Sequence, residues 1–171
     1  MNLKLKILSG ILAGGMLFSF VPSIFAENDL HDIQIVEEYI SHISDIQDVW
    51  NAYFYLAGRY INCSYDTVGL TKMYNVLLDL KNKIQELNFE DLTLEGYMDA
   101  LFCVHGACLR EYCGLFEDAN AEWRIAFLRY TSGCICKASE PSIRLGFEKI
   151  RDYCWERIYY CMQCKPSRKC S

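Results

Sequence analysis

Apolar residues recur at spacings of three and four along almost the whole chain, the period of an amphipathic helix. From Leu30, the positions Ile33, Val36, Ile40 and Ile43 form one such stripe. Ser44-Asp45-Ile46-Gln47 has the form of a capping box, so a second helix is expected to open there, with Ile46, Val49, Tyr53, Leu56, Ala57 and Tyr60 on its buried face. Asn62-Cys63-Ser64 ends it; the same triplet fits a glycan acceptor. Asp66-Thr67 caps a third helix running to about Glu86, with Met73, Val76, Leu77, Leu80 and Ile84 inward. Thr93-Leu94-Glu95 opens a fourth, which ends at Cys113-Gly114, where glycine supplies a left-handed terminus. A fifth follows from about Glu117 to Thr131. Pro141 suits the first turn of a sixth, on which Ile143, Phe147, Ile150, Cys154, Ile158 and Cys161 keep the period throughout. No segment alternates with period two. The expected fold is all-α, with about six helices in an antiparallel bundle or a short array of helix pairs.

The first segment has a different pattern. Lys4 and Lys6 precede an apolar run from Ile7 to Phe20, and Pro22 lies shortly before Ala26. This is the tripartite form of a signal peptide over residues 1–26, leaving a single helical domain over 27–171 in a secreted or periplasmic protein. The competing reading is an uncleaved anchor, which would be the chain's only tie to a membrane. Loss of these two lysines and of no acid takes the formal charge from −5 to −7. An acidic chain repels phosphate backbones, so nucleic acid is not the expected partner. Only Lys165, Arg168 and Lys169 make a locally basic end.

Cysteine content changes the picture further. Cys63, Cys103, Cys108, Cys113, Cys134, Cys136, Cys154, Cys161, Cys164 and Cys170 all follow the apolar segment. An even number in an exported chain reads as a disulfide framework, and up to five staples are expected. Cys103, Cys108 and Cys113 are five apart on one helix, so neighbours point about 140° apart and cannot pair with one another. The fourth helix would then be the hub, stapled to its surroundings. Cys154 and Cys161 share the buried stripe of the sixth helix.

Two helix pairs resemble degenerate tetratricopeptide repeats, including their secreted, cysteine-bearing relatives. Tyr53-x2-Leu56-Ala57-x2-Tyr60 matches the first half of the repeat, and Gly114-x-Phe116-x2-Ala119-x3-Trp123-x2-Ala126, preceded by Ala107, matches the second. The resemblance covers about half of residues 27–171 and implies helix pairs that bind another protein. Ala57 and Ala107 stand 50 positions apart, against a family period of about 34, and an unrelated bundle remains the alternative architecture.

Candidate chemistry is sparse. Cys161-Met162-Gln163-Cys164 is a C-x-x-C, the motif of thiol oxidoreductases, but those enzymes carry it at a helix N-terminus, where the dipole lowers thiol pKa. Here it falls at the C-terminal end of the sixth helix, so a place in the disulfide framework is expected instead. Cys134 and Cys136 with Cys161 and Cys164 would supply four thiolates to zinc, but Cys134-x-Cys136 has atypical spacing and the compartment is oxidising. Lys165 after Cys164 resembles the lysine variant of the haem-attachment motif in cytochrome c nitrite reductases, without their further C-x-x-C-H sites. No metal and no cofactor is therefore expected. His105 and Cys108 are adjacent on one helix face, an arrangement a Cys–His nucleophile would need. Tyr153, Trp155, Tyr159 and Tyr160 flank the buried stripe of the sixth helix as a candidate binding surface or as a covering over the core. The expected function is an exported, disulfide-held interaction module for another protein. A thiol–disulfide oxidoreductase using Cys161 and Cys164, or a secreted effector, is the alternative.

Overall fold

A computed structural model describes residues 29–62, 66–89, 92–132 and 141–164. The expected signal segment, the four cysteines Cys63, Cys134, Cys136 and Cys170, and the basic end lie outside the described residues. Six helices make up what is described: α1 (Asp29–Ser41), α2 (Ile46–Asn62), α3 (Thr67–Glu86), α4 (Leu92–Tyr112), α5 (Phe116–Ser132) and α6 (Pro141–Gln163). No strand occurs among the described residues. None of these helices is long and apolar enough to cross a membrane.

The helix ends follow from local chemistry. α2 is capped by Asp45, one residue later than the Ser44 box implies, with its carboxylate accepting from the Asp48 amide at 2.9 Å. Asp66 caps α3 in the same way through the Gly69 amide at 2.8 Å. α4 closes in a Schellman turn: the Leu115 amide donates to the Arg110 carbonyl at 2.8 Å and the Gly114 amide to Glu111 at 2.9 Å. Gly114 takes φ +74°, the left-handed conformation that this turn requires. Asn88 plays the same part after α3 at φ 50°.

Cross-helix contacts define the directions. Arg110 meets Glu122 and Asp99 meets Arg129, so α4 and α5 run antiparallel. Trp123 meets Tyr153 and Tyr130 meets Phe147, so α5 and α6 do as well. Tyr53 meets Tyr97 and Tyr60 meets His105, which makes α2 and α4 parallel neighbours. α2 also touches α1, α3 and α6, while α1 packs chiefly on α3.

One continuous core joins all six helices. Small residues bring them close: Ala57, Ala107, Ala119 and Ala126 are all buried. Around them sits an aromatic group of Trp50, Tyr53, Phe54, Tyr97, Tyr130 and Phe147. The Tyr97 and Phe147 rings stack at 4.1 Å between centroids. Tyr53 donates its hydroxyl proton to the Tyr97 carbonyl at 3.1 Å. Its oxygen then accepts from Tyr130 at 2.5 Å, so the buried hydroxyls satisfy one another.

Among the described residues no disulfide staple is found. Cys103, Cys108, Cys113, Cys154, Cys161 and Cys164 are all free thiols. The helices that hold them are fixed by apolar packing, and that packing does not bring any two of these sulfurs to bonding distance. Cys154 fills a fully buried place on the α6 stripe as a small apolar residue would. α4 is central through its packing on α2, α3 and α5 rather than through bridges.

Candidate functional site

The densest polar constellation lies where the C-terminal ends of α4 and α6 meet the first turns of α5. Glu111, on α4, has a side chain only 12 % exposed. Its carboxylate accepts from Trp123 Nε1 of α5 at 2.6 Å and from Arg157 Nε of α6 at 3.2 Å. A second guanidinium nitrogen of Arg157 bonds its other oxygen, giving a two-pronged pair. The fourth donor is the Cys161 thiol, at 3.1 Å from Oε1. One carboxylate thus ties three helices together, with donors enough to compensate its removal from water. Nearby, Asn120 of α5 donates to the Ile158 carbonyl of α6 at 3.0 Å.

Cys164 follows immediately after α6, and its amide still bonds the Tyr160 carbonyl at 3.1 Å. The Tyr160 side chain hydrogen-bonds Cys164, which pushes the tyrosine's pKa up. Arg157 lies over the Tyr160 ring at 4.2 Å from its centroid, a cation–π contact. Cys161 faces this node from α6 and is buried, and Cys164 stands just past the helix end and is half-buried.

Cys103, Cys108, Cys154 and Cys161 rest in the protonated form. Burial first, then the hydrogen bond and charge of Glu111, push Cys161 up to about 12. Burial pushes Cys108 up to about 12 as well, with the Glu111 charge adding and Arg157 opposing. Cys103 rises to about 11, through burial and then the charge of Glu122. Cys154 is raised by burial and by its neighbour Cys108. Among the described residues, no three His, Cys, Asp or Glu side chains are grouped to hold a metal ion.

The His105–Cys108 pairing does not make a nucleophile. His105 is 7 % exposed and turns to α2 and α3, with Nδ1 2.6 Å from the Tyr60 hydroxyl and its ring 5.4 Å from that of Tyr74. Burial lowers its pKa to about 4. Tyr60 keeps its proton, because burial raises its own pKa well above the usual value. Its hydroxyl is then the donor and neutral Nδ1 the acceptor, so the imidazole is occupied by a structural bond. Cys108 lies among Glu111, Arg157, Tyr153 and Cys154 instead.

The four aromatic residues singled out on α6 divide. Tyr153 turns inward, its ring edge-on to Trp123 at 5.6 Å. Trp155 and Tyr159 are 59 % and 62 % exposed, and Met162, 64 % exposed, extends their line. These three stand at i, i+4 and i+7, a second apolar stripe on the face of α6 turned away from the core. The Trp155 ring is steadied at 5.5 Å from Phe127 of α5. Tyr160 lies at the edge of this stripe, its ring 6.1 Å from Phe116. Glu148, Asp152 and Glu156 repeat every fourth residue beside it.

The node was missed by residue-type reasoning, although a signal exists. Ala100, Val104 and Ala107 lead at helical spacing to Glu111, and Ile150 and Cys154 lead to Arg157. An acid and a base each standing on a buried stripe predict each other. Compared with protein families, with curated proteins and with solved structures, the chain matches none of them.

Proposed function

We propose that this chain is an exported helical binding module that holds another protein against the outer face of α6. The observation that carries this reading is the stripe of Trp155, Tyr159 and Met162, exposed on a helix whose opposite face is already buried. Large amphipathic rings with few rotatable bonds are the side chains from which interface hot spots are built. Trp155 is held against Phe127 before any partner arrives, so little side-chain freedom is lost on binding.

The flanking acids set the chemistry of the partner. With Glu148 and Glu156 beside the stripe, Asp152 being already paired with Arg151, and a formal chain charge of −5, the complementary surface is apolar with basic neighbours, such as one face of a cationic amphipathic helix. Binding also agrees with the helix-pair resemblance noted in the sequence, and it asks no catalytic group of the site.

A synthetic amphipathic peptide of leucine and lysine at helical spacing serves as the probe, with its leucine–glutamate counterpart as control. Titration followed by tryptophan fluorescence and calorimetry is expected to show saturable binding of the lysine peptide alone. Replacing Trp155, Tyr159 and Met162 together by alanine is expected to weaken it by about 30-fold or more, the effect of losing roughly 2 kcal/mol at a hot spot. Equal binding of both peptides, or binding unchanged in the triple variant, would refute the reading.

A further inference from the structure

We propose that Cys161 and Cys164 are a dithiol that closes to an intrahelical disulfide by exchange with a low-molecular-weight disulfide, with Glu111 taking the proton of Cys161. This goes beyond the binding role and uses groups that the α6 stripe does not.

Residues three apart on a helix have Cβ atoms about 5–6 Å apart, and a disulfide needs about 3.5–4.5 Å. The last turn must tighten by that difference. Cys164 is the first residue past α6, where the backbone is held by a single helical bond to Tyr160, so the movement falls on the end of the helix rather than its middle. The two thiols have different surroundings. Cys164 is half-buried, and the Tyr160 hydroxyl is placed to donate to its thiolate. Cys161 is 5 % exposed, and its proton already points at Glu111.

These surroundings order the steps. The Cys164 thiolate attacks one sulfur of R–S–S–R. The S–S bond breaks, a first R–S⁻ leaves and is protonated from solvent, and a Cys164–S–S–R mixed disulfide forms. Cys161 then passes its proton to Glu111 and attacks the Cys164 sulfur. A second R–S⁻ leaves and takes up a proton, which Glu111 returns through solvent. Two protein thiols are oxidised and one disulfide is reduced to two thiols. Glu111 keeps Trp123 and Arg157 as donors throughout, so closure removes one of its partners without leaving the carboxylate uncompensated. The α6 dipole disfavours a thiolate at this end of the helix, so the exchange is slow.

The test uses the full chain, reduced, freed of reductant and incubated with glutathione disulfide. Samples are quenched in acid, alkylated and digested with trypsin. The peptide that begins at Ile158 carries Cys161 and Cys164 together and is read by mass spectrometry. Wild type is expected to lose two hydrogens in that peptide and leave both cysteines unalkylated. Cys161→Ser is expected to accumulate glutathione on Cys164. Glu111→Gln is expected to form the same mixed disulfide as fast as wild type but to close it about 10²-fold more slowly, the loss of one proton acceptor. Should Glu111→Gln lose its helical circular dichroism, Glu111→Asp replaces it, with closure slowed because its carboxylate is held one methylene further from Cys161. Full alkylation of both thiols after long exposure, glutathione on Cys161 rather than Cys164, or wild-type closure rates in the Glu111 variant would each overturn the proposal.

Discussion

Lowering the pH should destabilise this fold through one buried histidine. His105 is neutral in the folded chain, accepting at Nδ1 from Tyr60 beneath Tyr74, and its pKa falls from 6.5 to about 4 because burial penalises the imidazolium. The unfolded chain takes up this proton near pH 6.5, whereas the folded chain takes it up only near pH 4. Stability contributed by the neutral form is therefore complete above 6.5 and is lost progressively as the pH falls toward 4. At about 1.4 kcal/mol per pKa unit, the full loss is about 3 kcal/mol, against a total of about 5–15 kcal/mol for a domain. Urea unfolding followed by far-UV circular dichroism at pH 7.5, 6, 5 and 4 measures it. The relevant quantity is the difference from His105→Gln, which accepts from Tyr60 but does not titrate, so that every contribution shared by the two proteins cancels. Wild type should lose about 3 kcal/mol more than the variant across the window. Parallel curves would show that His105 is not held neutral and would refute the assignment of Tyr60 as its donor.

Two further predictions rest on packing. A Cβ added at Gly146 would lie 2.8 Å from Cε1 of Phe54, whose ring is held among Trp50, Tyr53 and Phe147, so Gly146→Ala should cost about 1–3 kcal/mol in urea unfolding. Gly96→Ala meets nothing within 4 Å on α4 and should stabilise by about 0.5–1 kcal/mol. If the buried cysteines are thiols that fill space, Cys154→Ser should cost about 1–3 kcal/mol by burying a hydroxyl, while the exposed Cys113→Ser stays within about 0.5 kcal/mol of wild type. Equal effects at the two positions would contradict that role.

The helical frame was legible because it rests on local rules. Among the described side chains the stripes of α1 to α6 face inward as their spacing requires, down to Cys154 and Cys161 on α6, except that Ile46, the first residue of α2, is 37 % exposed; Gly114 takes the positive φ expected of it. The cap of α2 moved from Ser44 to Asp45 because either short polar side chain can reach an N-terminal amide, and spacing does not rank them. The disulfide expectation finds no support among the described cysteines, for a different reason. It rested on cysteine number and compartment, which carry no geometry, whereas the places of Cys103, Cys108 and Cys154 are set by which apolar surfaces α4, α5 and α6 bury against one another. Tyr153 shows the same limit: it stands at the edge of the α6 stripe, and only the arrival of Trp123 from α5 turns it inward. The Glu111–Arg157 pair was readable in part, since each charge interrupts an apolar stripe. That they meet depends on the parallel course of α4 and α6 on either side of α5, which no single helix encodes.

The α6 stripe as a docking face is tested most directly by photo-crosslinking in the native exported fraction. Benzoylphenylalanine is placed at Tyr159, and in a second variant at Tyr74, which is exposed on α3 away from the stripe. The expected result is one discrete protein adduct from position 159, absent from position 74 and lost when Trp155 and Met162 are also changed to alanine. An adduct formed from position 74 with none from position 159 would contradict the assignment of α6 as the binding surface.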